Sequence, residues 1–372
     1  MYNHANIITT PKLSFIERLR RKFLWLFRLT DEAIVKVYHG FGNDKMITVI
    51  GHALDFSPIP RKRFSKNFLT NTFALLRLFI VKPYSKVKLK MLWNGKWYFT
   101  QSEKDGFFRF EIPLEIPVRS GWHEVQVFLL NRRNEAKTKA EGKGTVYIPY
   151  KNQYAFISDI DDTFLISHSS NLRKRIFVML TENAHSRQPF EGVVKHYQLL
   201  AKAGLQDKHD ETNPFFFVSS SEWNLYDYIR EFCIKYEMPR GVYLLNQIKQ
   251  FSQIWKTGQN NHSTKFMRAV RILEAFPDQK FILLGDDTQE DPTIYASIVE
   301  HFPTKILAVY LRKVRKRTKP TVLPAIEKMK AAGVLCCYFA NSSEAISHSA
   351  TIGLIDIKLI QEETEITITT KA

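Results

Sequence analysis

Asp159-Ile160-Asp161-Asp162-Thr163 sets four charged or polar side chains directly behind an apolar run, YAFIS at 154–158. In an open parallel sheet, sites form beyond the carboxyl ends of the strands. Carboxylates crowded there repel one another unless a cation joins them, and hard oxygen donors suit Mg²⁺. Taken alone, the segment is also consistent with a solvated acidic loop or a helix cap. A second acidic segment, Gly285-Asp286-Asp287-Thr288-Gln289-Glu290-Asp291, follows the apolar run FILLG at 281–285. Two acidic strand ends read as one shared metal site. Its candidate donors are Asp159, Asp161, Asp286, Asp287 and Asp291. Which of Asp287 and Asp291 stands nearer the metal is open, and either is equally a candidate cap for the next helix.

Two further segments carry groups suited to a phosphate. FFFVSSSEW ends a strand-like run at Ser219 and Ser220. Hydroxyls beside free backbone N–H groups before a helix can hold phosphate oxygens, whereas Ser221 is a candidate for plain helix capping. Lys265, in HSTKFMRAV at the start of a helix, is placed to neutralise a phosphoryl group. A surface lysine is the ordinary alternative for Lys265, and Lys256 is a weaker candidate for the same role.

The elements that must position these groups are legible in the hydrophobic pattern. From about residue 151, the apolar runs YAFIS, FFFVS, VYLL, FILLG, ILAVYL and VLCCYF alternate with longer helical stretches. The helical candidates include FEGVVKHYQLLAKAG, EWNLYDYIREFCIKY and STKFMRAVRILEAF. Such alternation implies an α/β domain with a parallel sheet flanked by helices. Residues 31–150 read instead as short strands, IVKVY, MITVIGHAL, VKLKML, KWYFT, FFRFEI, HEVQVFLL and GTVYIPY, which suggests a β-sandwich-like domain. Asn94-Gly95 marks a hairpin there, and FLTNTFALLRLFIV (68–81) breaks the pattern as a helix candidate. No nucleophile–base pattern occurs in this region, so it binds or orients. The expected division is a basic arm at 1–30, a β-rich domain at 31–150, an α/β domain at 151–360 and a polar tail at 361–372.

The arm, KLSFIERLRRKFLWLFRL at 12–29, has the spacing of an amphipathic helix. Leu13, Phe15, Ile16, Leu19, Phe23, Leu24, Leu26 and Phe27 fall on one side, and Glu17, Arg18, Arg21, Lys22 and Arg28 on the other. Arg20 and Trp25 interrupt both. This is the pattern of a helix lying in an anionic membrane interface, or of one docked on the protein's own core. Lys+Arg is 54 against Asp+Glu 37, a formal charge of +17, which points to an anionic partner. Basic clusters at Arg61, Lys62, Arg63 and Lys66, and at Arg312, Lys313, Arg315, Lys316, Arg317 and Lys319, suit an anionic lipid surface or else form solvated faces. Nucleic acid is the rival partner, but no zinc finger, RNA-binding signature or basic zipper is present.

With 44% hydrophobic and 24% charged residues, the chain is neither wholly disordered nor fibrous. Three cysteines, Cys233, Cys336 and Cys337, exclude a disulfide scaffold and a four-thiolate zinc site and suggest a reducing compartment. No long uncharged apolar stretch and no secretory signal pattern is seen, so the expected location is the cytoplasm, with peripheral membrane association.

The four segments together resemble the haloacid-dehalogenase superfamily of phosphohydrolases: DxDxT, a strand-end Ser, a Lys and an acidic GD(x)nD motif, in that order. The resemblance implies a Rossmann-like catalytic fold, with Asp159 as nucleophile in the motif that ends at Thr163. Asp161 would be the acid and then the base, and Ser219 and Lys265 the phosphate ligands. Mg²⁺ would rest on Asp159, the Asp161 carbonyl and Asp286.

SDIDDTFLIS, NAHSRQPFEGV, FFFVSSSEWNLYDYI and FPDQKFILLGDDTQEDPTIY further resemble the actin-patch phosphatidate phosphatase family and its bacterial relatives. The YHGFG and GWHEVQV segments fit it too. That resemblance implies Mg²⁺-dependent conversion of phosphatidate to diacylglycerol, with His185 or Arg187 near the head group. GDDT stands where the family often has GDSG, and Glu222 where it often has Pro. Both changes bear on metal geometry or substrate choice. The competing functions are hydrolysis of a soluble phosphomonoester, and a catalytically silent membrane- or nucleic-acid-binding protein.

Overall fold

The computed structural model describes residues 15–59, 76–150, 153–160, 192–205, 212–247, 261–315 and 317–356. They form a mixed α/β structure with two sheets. The first holds nine strands: β1 (Ile34–Val37), β2 (Gly40–Gly42), β3 (Met46–Phe56), β4 (Lys82–Pro83), β5 (Lys88–Trp93), β6 (Lys96–Gln101), β7 (Phe107–Pro113), β8 (Gly121–Leu130) and β9 (Thr138–Ile148). Their order is β1-β3-β2-β9-β8-β5-β6, with β4 and β7 also paired to β3. All pairs are antiparallel except β2 with β9. The seven strands expected from alternation are present, and β2 and β4 are additions too short to show a period. Alternate residues such as Leu89, Met91, Phe108, Phe110, Val127 and Leu129 turn inward to one buried cluster. At the β5–β6 turn, Asn94 and Gly95 both have positive φ, 47° and 78°, as a two-residue hairpin turn of that sequence requires.

The second sheet is parallel, with strands β10 (Ala155–Asp159), β11 (Phe215–Glu222), β12 (Gly241–Asn246), β13 (Phe281–Asp286), β14 (Ile306–Arg312) and β15 (Leu335–Phe339). Its order is β12-β11-β10-β13-β14-β15. The chain therefore winds away from β10 first to one side and then to the other. Both faces are covered, which is why these strands read as unbroken apolar runs rather than alternating ones. Phe156, Phe215, Phe217 and Tyr310 pack with helices α2 (Val193–Ala201), α3 (Tyr226–Lys235) and α7 (Ser342–Thr351). Ile157, Phe216, Val218 and Val309 face α4 (Asn261–Ala275), α5 (Asp291–His301) and α6 (Val322–Ala331). The helices α2, α3 and α4 are those expected from the sequence.

The YHGFG segment joins the two sheets. Tyr38 stacks on Trp223 with ring centroids 4.1 Å apart. His39 N donates to the Tyr226 hydroxyl, and its Nδ1 lies 2.9 Å from the Gly241 carbonyl. Phe41 meets Phe216 edge-on. Burial lowers the His39 pKa to about 4. Trp122, from GWHEVQV, packs on His39 and lies under the Arg240 guanidinium at 3.9 Å.

The arm forms α1 (Phe15–Leu26), which ends three residues before the expected 29, while residues 12–14 of the expected helix lie outside the described residues. Of its residues only Leu24 is buried. The expected helix at 68–81 falls largely outside the described residues. Cys233, Cys336 and Cys337 are free thiols. Among the described residues, no helix is long and apolar enough to cross a membrane.

Candidate active site

Parallel pairing brings the ends of β10 and β13 side by side, from Ala155 opposite Phe281 to Ser158 opposite Leu284. The next residues along are Asp159 and Gly285-Asp286, so both acidic segments arrive at one edge. The winding reverses at β10, and the crevice beyond such a point is where open α/β sheets hold ligands. Asp291 is the first residue of α5, which packs beneath the same edge through Tyr295, whose hydroxyl donates to the Leu284 carbonyl at 2.8 Å. Asp159, Asp286 and Asp291 are all fully buried, and one carboxylate oxygen from each lies within 4.8 Å of the others.

Lys265 reaches this group from α4. It is 4% exposed, with its Nζ 2.9 Å from Asp159 Oδ1 and in contact with Asp291 Oδ1. Burial by itself lowers the Lys265 pKa, but the charges of Asp159 and Asp291, with hydrogen bonds to both, overcome it and raise the value above that of a free lysine. The lysine is therefore held as a cation. One turn on, Arg268 donates to the Ser219 carbonyl at 2.9 Å. One helix face thus holds both the acidic group and the end of β11.

Ser219 is buried and stands next to Asp159, since Asp159 pairs with Val218. Its hydroxyl accepts from Ser221 N at 2.9 Å. Ser220 is half-buried beside it. Ser221 is not a helix cap: the helical turn starts at Trp223, preceded by Glu222, which makes no side-chain cap bond.

Asp287 is buried but belongs to a different set of contacts. Its carboxylate accepts from Val314 N at 2.9 Å, Arg315 N at 3.1 Å and the Tyr338 hydroxyl at 2.8 Å. Those bonds hold the segment after β14, and Asp287 is not one of the three clustered aspartates. Burial, followed by the bond to Asp287, pushes the Tyr338 phenol up to about 12. Asp291 does not act as a side-chain N-cap. The N-cap position is Glu290, and Asp291 Oδ2 accepts from Asp286 N at 3.3 Å.

The basic run after β14 is only partly a solvated face. Arg312 is 4% exposed, with Nη2 donating to Ser342 Oγ at 2.7 Å. Arg315 donates to the Thr288 carbonyl at 2.8 Å, and Lys319 to the Gln289 carbonyl at 2.9 Å and Glu290 Oε1 at 3.1 Å. These residues brace the acidic loop. Gln289, whose Nε2 lies 3.4 Å from Asp159 Oδ2, is a site neighbour that belongs to the acidic segment but is given no role by the sequence. Asp161, Thr163, His185, Arg187 and Lys256 lie outside the described residues.

Among the described residues, three buried carboxylates gather beside the Lys265 ammonium in a low-dielectric place. A hard divalent cation fits such a group, since aspartate oxygens are the donors such ions prefer.

The comparisons with known proteins agree with this location. Residues 154–313 match the family model described as the catalytic domain of phosphatidate phosphatase APP1. An uncharacterised protein of Schizosaccharomyces pombe is 22% identical over 275 residues, covering 70% of this chain and 43% of that protein. Phosphatidate phosphatase APP1 of Saccharomyces cerevisiae is 29% identical over 157 residues, covering 42% of this chain and 25% of the yeast enzyme. The chain thus spans less than half the length of either relative. Among solved structures, a carbohydrate acetylesterase from Xanthomonas citri aligns over 83% of this chain and 66% of its own, at 10% identity and a TM-score of 0.28, too low to bear on the fold. Asp159, Ser219, Lys265, Asp286 and Asp291 all fall within residues 154–313, the stretch that is similar to a phosphatase catalytic domain.

Proposed function

We propose that the protein is a phosphomonoester hydrolase that uses Mg²⁺ and acts on phosphatidate or a closely related lipid phosphate, giving diacylglycerol and inorganic phosphate. The observation that carries this reading is the buried set of Asp159, Asp286, Asp291 and Lys265 at the carboxyl edge of the parallel sheet, within the stretch similar to a phosphatidate phosphatase catalytic domain. The strand order about β10 supports a Rossmann-like catalytic fold of the haloacid-dehalogenase type, and the inward alternation of the first sheet supports a sandwich-like partner domain.

Asp159 is the nucleophile in this reading. A carboxylate oxygen forms a bond to phosphorus while the bond from phosphorus to the lipid oxygen breaks. Asp161 gives that oxygen its proton, so the alcohol departs neutral. Water then attacks the phosphorus of the aspartyl phosphate, Asp161 takes its proton, and the Asp159 carboxylate is restored as phosphate leaves. Lys265 holds Asp159 in place and offsets charge on the phosphoryl oxygens, with Ser219 and Ser220 as hydrogen-bonding partners and Thr163 closing the motif. Asp159, Asp286 and Asp291 are the residues of the described structure that would hold Mg²⁺, with the Asp161 carbonyl. The ion supplies neutralisation that lets one anion approach another. Asp287 acts as support for the neighbouring loop. His185 and Arg187 are assigned to the head group. The expected location is the cytoplasmic face of a membrane.

The test is phosphate release from phosphatidate in mixed micelles, with Mg²⁺ or with EDTA, beside a small chromogenic phosphate and the Asp159→Asn variant. Mg²⁺-dependent release abolished in the variant supports the reading. Release from the small phosphate alone refutes the lipid substrate, and release from neither refutes the enzyme.

A further inference from the structure

At 100° per residue, Phe15, Leu26, Leu19, Phe23, Ile16 and Phe27 of the arm fall within an arc of roughly 120°. Five of them are open to solvent, with Phe15 80%, Ile16 76%, Leu19 59%, Leu26 62% and Phe23 42% exposed. Leu24, the buried residue of α1, points roughly 120° away from the middle of that arc. The buried side chain of α1 thus lies at one edge of the apolar half, and the rest of the stripe faces outward. Lys22 borders the stripe on one side and Arg20 on the other, and both are exposed. Ile59, 48% exposed, adds to the apolar surface at the root of the helix.

The root is tied to the end of the molecule that carries the aspartates. Ile59 N donates to the Arg28 carbonyl at 3.0 Å, and Arg77 Nη2 donates to the Ile59 carbonyl at 2.8 Å. The Leu78 carbonyl accepts from Asn224 Nδ2 at 3.0 Å. Asn224 lies two residues beyond β11, at the edge where Ser219 and Asp159 stand.

We propose that the outward stripe of α1 docks in the interface of an anionic lipid bilayer and sets the carboxyl edge of the parallel sheet against that surface. An apolar arc bordered by cations is what such an interface takes up: the rings and aliphatic chains enter the acyl boundary, and the cations stay among the phosphates. The formal charge of +17 complements an anionic surface and not a neutral one. The role of the docked site rests on the lipid-phosphate reading above, but vesicle binding itself does not.

The experiment is flotation of the full chain with vesicles of phosphatidylcholine alone, or with one third phosphatidylserine. Thermal unfolding and sedimentation are followed for every variant. The wild type is expected to float with the anionic vesicles. Leu19→Glu/Phe23→Glu is expected to lose flotation with an unchanged unfolding midpoint. Arg20→Gln/Lys22→Gln is expected to weaken binding to anionic vesicles by roughly 10-fold or more while leaving any binding to phosphatidylcholine as it was. Flotation of the Glu variant equal to wild type overturns the proposal. So does a wild-type dimer that the Glu variant dissociates, since a second copy then covers the stripe. Flotation without release of phosphate from phosphatidate overturns the proposed activity and leaves the docking surface standing. Release from micelles without flotation does the reverse.

Discussion

Gly285→Ala tests whether Asp291 belongs to the working site. Gly285 is the next-to-last residue of β13, directly before Asp286, and a Cβ there would stand 2.6 Å from Asp291 Oδ2, 2.8 Å from Tyr295 Cε2 and 3.0 Å from Asp291 Cβ. Its φ lies outside the left-handed region, so the backbone accepts alanine and the cost is steric. The carboxylate must retreat from 2.6 Å to at least ordinary contact at 3.4 Å, a shift of roughly 0.8 Å. That moves it from Lys265 and from Asp286 N, which are its bonded partners. Overpacking of this kind costs about 1–3 kcal/mol. A displacement near 1 Å within a catalytic group costs on the order of 100-fold in rate.

The assay is phosphate release at saturating Mg²⁺ together with urea unfolding. The control is Gly333→Ala, where the added Cβ meets nothing within 4 Å but φ is +83°. That change is expected to cost about 1 kcal/mol of backbone strain and no activity. If Gly285→Ala retains full rate and stability, Asp291 is neither packed as described nor part of the site.

Lys265→Met removes the ammonium that pairs with Asp159 and Asp291 and leaves their buried carboxylates facing one another. Urea unfolding without added metal is expected to show a loss of roughly 3–5 kcal/mol, part of it restored by Mg²⁺; a loss below about 1 kcal/mol would refute the ion-pair geometry. Burial holds His52 and His196 at pKa values of about 3, against 6.5 for a free histidine. Between those values the unfolded chain binds more protons than the folded one, so stability is full above pH 6.5 and falls as pH drops toward 3. The loss between pH 7 and 5 is up to about 4 kcal/mol for the pair. His196→Gln should take away about half of that slope in urea titrations at several pH values, and an unchanged slope would refute the assignment.

The strands were legible because their physics is local. Alternation in FFRFEIP exposes one face and buries the other, and runs such as FILLG bury both. The position of Asp159 and Asp286 behind such runs was legible for the same reason. The different fates of Asp287 and Asp291 were not. They are decided by Val314 N, Arg315 N and the Tyr338 hydroxyl, which reach Asp287 from 27 to 51 residues away. Arg312 likewise begins what reads as a solvated basic run, yet the strand it ends carries it inside against Phe339. In the arm, periodicity marks the apolar stripe but is silent on which of its residues is buried, and in α1 that is Leu24 alone.

Tyr38, Ile50, Leu54 and Phe79 share one hydrophobic cluster with Trp223, Tyr226 and the strands of the parallel sheet. The two halves of the chain therefore have no separate interiors at that joint. They should melt together in one transition, with a calorimetric enthalpy equal to the van't Hoff value. A fragment cut to residues 154–313 would lose β15, α6 and α7 and lay Trp223 and Tyr226 bare. The boundaries of sequence similarity are thus not the boundaries of cooperative unfolding.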